Sequence, residues 1–174
     1  MIVLAYLVNP MLGIVLNYWT PTIINRAGVT DVLNVSLLSS IPFVIGALGM
    51  LAIARHSDLK LERRWHFLGA VSIGALGLVM LPMASDQPLL AIGCLSLLSI
   101  GYFSGSTIFW TIPPTYFSAA AAAGGIALTS SAGQAGSLVT PMLLGWLQTH
   151  TSSIALGLYA IAAIAVAGGL LIVC

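Results

Sequence analysis

The sequence predicts an all-α membrane protein of six transmembrane helices. Three observations carry this expectation. Hydrophobic residues make up 59% of the 174 positions and charged residues only 5%. The few charges are gathered in short zones, separated by uncharged runs of spanning length. Those runs are continuous and rich in Leu, Ala and Gly, which fits helices and not the short alternating strands of a membrane β-barrel. A soluble domain covers itself with roughly 25% charged residues. With a mean hydropathy of +1.09, most of this surface meets lipid instead.

A spanning helix needs roughly 20 apolar residues, and the elements follow in order from the interruptions. The first helix covers about 2–20, inside an uncharged stretch ending at Pro21. Arg26 and Asp31 then mark a connection, and the second helix covers 33–54. The polar string Arg55-His56-Ser57-Asp58-Leu59-Lys60-Leu61-Glu62-Arg63-Arg64-Trp65-His66 reads as a loop. A third helix covers 66–84 and a fourth 88–112, on either side of Asp86, the last ionised side chain. Pro113–Gly125 and Gln148–Ser153 are the remaining breaks, giving a fifth helix at 123–147 and a sixth at 154–174. Residues 1–174 thus form one bundle.

Four of the five Lys and Arg residues (Arg55, Lys60, Arg63, Arg64) sit between the second and third helices. The positive-inside rule places that segment in the cytoplasm and, with six spans, both termini with it. A net charge of +1 gives no electrostatic case for a nucleic-acid partner. Cys94 and Cys174 lie in apolar runs without metal or redox spacing. The first twenty residues lack the basic start and small-residue cleavage site of a signal peptide. Walker, GxSxG and HExxH patterns are absent, so the sequence predicts neither an enzyme nor a cofactor.

No ionised residue lies within the expected spans, although a proton path through a membrane uses a titratable group. His56 and His66 read as interfacial. Uncharged polar residues are plentiful: Asn9, Asn17 and Tyr18 in the first helix, and Ser130, Gln134 and Ser137 in the fifth. In the fourth, Ser99, Tyr102, Ser106 and Trp110 recur at helical spacing, with Thr107 beside them. Two readings stand. Ser, Thr, Asn and Gln serve hydrogen bonding between helices. The same groups would line a water-filled cavity for a ligand with carboxylate and hydroxyl or aromatic character. Gly101/Gly105 and Gly133/Gly136 permit close helix approach. Pro42 and Pro141 interrupt the second and fifth helices. Trp19-Thr20-Pro21 and Trp110-Thr111-Ile112-Pro113 form a faint echo, as a three-plus-three inverted repeat would produce.

The string Arg55-His56-Ser57-Asp58…Glu62-Arg63-Arg64-Trp65-His66 resembles the loop between helices eight and nine of the major facilitator superfamily, and more narrowly its anion:cation symporter branch of tartrate, phthalate, 4-hydroxyphenylacetate and sugar-acid permeases. Trp19-Thr20-Pro21-Thr22-Ile23-Ile24 is similar to that branch's helix seven, Phe109-Trp110-Thr111-Ile112-Pro113 to helix ten, and Gly125-Ile126-Ala127-Leu128…Ser131…Gly133…Gly136…Pro141…Gly145 to helix eleven. The resemblance implies one half of a major facilitator fold, helices seven to twelve. It also implies a missing N-terminal six-helix half and the symport of a small organic anion with a proton across the plasma (bacterial inner) membrane. By position it implies that Thr107 and Trp110 are substrate-facing; with the polar faces of the first, fourth and fifth helices, the candidate substrate-binding residues are Asn9, Asn17, Tyr102, Ser106, Thr107, Trp110, Ser130 and Gln134. It implies a conformational loop of Arg55, Asp58, Glu62, Arg63 and Arg64. Ser130 and Gln134 stand where the branch commonly has asparagines, and Ala54 and Leu61 where the loop signature has glycines. The branch's anion-binding arginine and proton-coupling acids belong to the other half.

Overall fold

A computed structural model describes residues 6–84, 86–112, 119–151 and 153–173. Helix α1 is continuous through three stretches: Val8–Ile14, a π-helical segment Val15–Trp19, and Thr20–Arg26. It is followed by α2 (Val32–Lys60) and α3 (Arg63–Met80), the latter prolonged by a 3₁₀ turn at Leu81–Ala84. Then come α4 (Pro88–Phe109), α5 (Ala119–Thr151) and α6 (Ile154–Val173). Among the described residues, four helical segments are long and apolar enough to cross a bilayer: Val32–Lys60, Arg63–Ala84, Pro88–Phe109 and Ile154–Val173.

Several ends differ from the expected ones. Pro21 does not stop α1. It stands just after the π-helical segment, where the regular four-residue ladder is already interrupted, and the helix runs on to Arg26. The basic string is mostly helical rather than a loop. Residues 55–60 lack Gly and Pro and continue α2, which stops only where Leu61 adopts a left-handed φ of 55°. Arg55 and Asp58 therefore lie on α2, Arg63 and Arg64 on α3, and Glu62 is the N-cap between them. Trp110 caps α4, which ends three residues sooner than expected. Pro113 lies outside the described residues, and α5 extends four residues further at each end than expected.

Helix α4 is held between α2 and α3, α3 also packs on α6, and α1 lies against α4, α5 and α6. In lipid such packing rests on van der Waals fit and not on exclusion of water. Glycine supplies the fit. A Cβ on Gly101 would sit 2.5 Å from the Cα of Gly74, so α3 and α4 cross backbone on backbone. Gly105 faces Asn9 of α1, and Gly133 and Gly136 receive Tyr6, Leu7 and Met11. Both small-residue pairs thus mark helix crossings. Ser96, Thr107, Thr129 and Thr140 each donate to the carbonyl four residues back in their own helix, at 2.7–2.9 Å.

Candidate functional site

Two stripes of side chains face one another across a cleft of about 760 Å³ between α1 and α5. One stripe is Ile14, Tyr18 and Thr22, with Trp19 beside it; the other is Gln134, Ser137, Leu138 and Pro141. Spacings of four residues, and of three, four and seven, put each set on a single helical face. The π-helical segment gives α1 its shape here. A π-bulge releases main-chain carbonyls from their usual partners. Asn17 donates its amide Nδ2 to the Gly13 carbonyl at 2.7 Å, and Thr20 donates its hydroxyl to the Leu16 carbonyl. Pro141 removes another donor on the facing wall.

The cleft offers a phenol, an indole, an amide and two hydroxyls over an aliphatic floor. Such groups donate and accept hydrogen bonds and stack on a planar ligand, but they carry no charge. Neutral donors hold an anion less strongly than a guanidinium does.

The expected site residues divide into groups. Gln134 lines the cleft, and Asn17 is exposed at the same level of α1. Tyr102 lies across α1 at Gly13, where an added Cβ would meet its ring at 2.6 Å. Asn9 is 1% exposed, with its Oδ1 directed at Gly105 and no hydrogen-bond partner. It stands in the α1–α4 contact and not in the cleft. Ser99 is likewise buried, against Gly46 of α2. Ser106 and Ser130 are half-buried and Thr107 is exposed. Trp110 packs edge-on against Tyr6, with ring centroids 4.9 Å apart. Tyr6 precedes Tyr18 by roughly 18 Å of helix at 1.5 Å per residue, so Trp110 belongs to the opposite end of α1. An α1 that ends at Pro21 leaves Thr22 out of the expected site. Carrying the four-residue spacing from Ile14 through Tyr18 would have reached it.

The conformational segment forms a second constellation. Arg63 pairs with Asp58 at 2.5 Å across the α2–α3 turn. His66 donates Nδ1–H to the Glu62 carbonyl, to which Ser57 also donates at 3.5 Å. Arg55 and Arg64 are exposed on the flanking helices.

Residues 1–141 match the family model of the Major Facilitator Superfamily. The chain belongs to that superfamily. It is 36% identical over 151 residues to a putative tartrate transporter of Agrobacterium vitis, covering 87% of this chain and 34% of the relative. It is 35% identical over 144 residues to a quinolone resistance transporter of Acinetobacter baumannii, covering 83% and 33%. It is 33% identical over 147 residues to the putative metabolite transport protein NicT of Pseudomonas putida, covering 83% and 34%. The chain therefore spans about a third of the length of these curated relatives. No solved structure matches it. As a member of the Major Facilitator Superfamily it is an integral membrane protein of a transporter family, not an enzyme.

Proposed function

We propose that this chain supplies the C-terminal six-helix half of a secondary active transporter of the anion:cation symporter branch. It moves a small organic anion, a carboxylate such as tartrate, a sugar acid or an aromatic acid, by alternating access with proton symport. The observation that carries the reading is the cleft between α1 and α5, whose Tyr18, Gln134 and Ser137 suit the hydroxyls and ring of such a ligand. The relatives named for tartrate and metabolite transport support the substrate class. The uncharged lining supports a division of labour in which an N-terminal half brings the anion-binding cation and the proton-coupling acids. The carrier lies in the bacterial inner membrane, with both termini and residues 55–66 on the cytoplasmic side. Asn9, Tyr102, Ser106, Thr107, Trp110 and Ser130 join the substrate path in conformations other than the one described.

The test is uptake of labelled carboxylates by cells producing the chain alone and together with a six-helix N-terminal half from a relative. Uptake is expected only with both halves and only with a proton gradient. Proton-driven uptake by the chain alone would exclude the half-carrier reading. A second reading, a self-dimerising facilitator, is favoured by the exposed apolar side of α2 at Leu33, Leu37, Val44 and Leu48. Cysteine crosslinking along α2 in membranes separates the two, because only the facilitator yields a homodimer.

A further inference from the structure

A second cavity, of about 610 Å³, opens at the other end of the bundle from Arg26, Asp31 and Asp86. Three helix ends meet around it: Leu61 and Glu62 of the α2–α3 turn with Arg63, Arg64 and Trp65 from the start of α3, Thr111 and Ile112 from the end of α4, and Val173 from the end of α6. We propose that it binds the headgroup and upper acyl chains of an acidic membrane phospholipid.

Its walls are of two kinds. Arg63 and Arg64 provide guanidinium groups, which match a phosphate in bidentate geometry. Leu61, Ile112 and Val173 provide an aliphatic side continuous with helices that face lipid. A free phosphate has no use for the second wall, and a neutral amphiphile has no use for the first. Charge favours an anion at this end. Residues 55–66 carry four basic against two acidic side chains, whereas Arg26, Asp31 and Asp86 at the far end are one basic against two acidic. Basic pockets between helix ends at the membrane surface are sites for anionic headgroups.

The flanking side chains agree. Trp65 is 61% exposed and Leu61 80% exposed, although both stand in a strongly polar turn. Indole rings prefer the headgroup level, where one edge is apolar and the other wet. A leucine projecting from the same turn gains by reaching acyl chains and would otherwise spend its apolar surface on water. The ion pair with Asp58 uses one Arg63 nitrogen, Nη1, and holds that guanidinium at the pocket wall. A guanidinium has five N–H donors. Glu62 also lines the pocket and makes no side-chain capping bond to α3, so the wall carries two guanidinium groups against one carboxylate.

The experiment is native mass spectrometry of the 174-residue chain in detergent, titrated with dioleoylphosphatidylglycerol or with dioleoylphosphatidylcholine. One tightly held phosphatidylglycerol is expected, with phosphatidylcholine held at least tenfold more weakly. Each juxtamembrane cation contributes about fivefold to acidic-lipid affinity. R64Q should therefore lose about fivefold and R63Q/R64Q about 25-fold, whereas R64K, which keeps the charge but not the fork, should lose less than R64Q. The R64K comparison and circular dichroism separate lost binding from lost fold. Equal retention of the two lipids would overturn the proposal, as would an adduct indifferent to R63Q/R64Q. Displacement by millimolar inorganic phosphate would make the pocket a plain anion site and would overturn it too.

Discussion

The Nδ1 of His56 lies 2.8 Å from the Nε2 of His66, joining the last turns of α2 to the first turn of α3. The Glu62 carbonyl can only accept, so His66 carries its proton on Nδ1 and His56 is the donor of the imidazole pair. The pair straddles the tight turn at Leu61 and acts as a clasp beside the Arg63–Asp58 bridge. Replacing His56 with Phe removes the clasp while keeping an aromatic ring. An exposed hydrogen bond contributes about 0.5–1.5 kcal/mol. Amide exchange over residues 55–64 is accordingly expected to rise roughly two- to tenfold, with exchange in α4 unchanged. Unchanged exchange across the turn would show that the imidazoles do not hold it.

The Arg63–Asp58 bridge should matter little to stability. Asp58 is 63% exposed at its side chain, and exposed ion pairs contribute about 0–1 kcal/mol. A double-mutant cycle of Asp58→Asn and Arg63→Gln, read by thermal unfolding in detergent, should give a coupling below about 1 kcal/mol that shrinks with added salt. A coupling of several kcal/mol would mean that the pair is shielded from water in the membrane. If Asp58 acts as a conformational latch in the assembled carrier, the same variant should change transport rate far more than melting temperature.

Gly101 is expected to be among the least tolerant positions. The atoms that a Cβ would meet belong to the Gly74 and Ala70 backbone, which cannot swing aside. Gly101→Ala should cost about 1–3 kcal/mol as α3 and α4 are forced apart. Gly93 of the same helix has open space around it. Gly93→Ala should therefore leave stability unchanged or raise it slightly through helix propensity. Comparing the melting temperatures of the two variants tests whether backbone contact, and not glycine content, holds this crossing.

In a reconstituted pair of halves, Gln134→Ala and Tyr18→Phe should each raise the half-saturating carboxylate concentration roughly two- to tenfold, the loss of one neutral hydrogen bond. Chain abundance should stay at the parent level, since both side chains are exposed to the cleft. Leu128→Ala, on the same helix but outside the cleft lining, should leave uptake unchanged. Equal effects at all three positions would remove the cleft from the substrate path.

Much of the fold was legible because lipid imposes a simple rule: an uncharged run of about 20 residues is a helix. The ends were less legible. Pro21 and the Arg55–Lys60 segment look like interruptions, yet proline is accommodated beside a π-helical stretch, and Arg, His, Asp and Lys continue a helix readily when a left-handed residue such as Leu61 waits beyond them. Periodicity alone located Gln134 and Ser137. Asn9 and Ser99 shared the same polar character but point into helix crossings. A polar residue in a membrane span serves a packed contact or a cavity equally well, and only the neighbouring helix decides which.

The π-helical stretch of α1 has the arithmetic of a one-residue insertion. Each residue of a regular helix advances the azimuth by about 100°, so an extra one turns everything beyond it by that amount. Ahead of Val15, Asn9 and Gly13 fit α4 while Leu7 and Met11 meet α5; beyond it, Tyr18 and Thr22 line the cleft with α5. Deleting a single residue there would keep the composition of the helix intact and swing the aromatic wall out of phase with its counterpart. The length of α1, counted in residues, is in this sense a dial that sets which way the cleft looks.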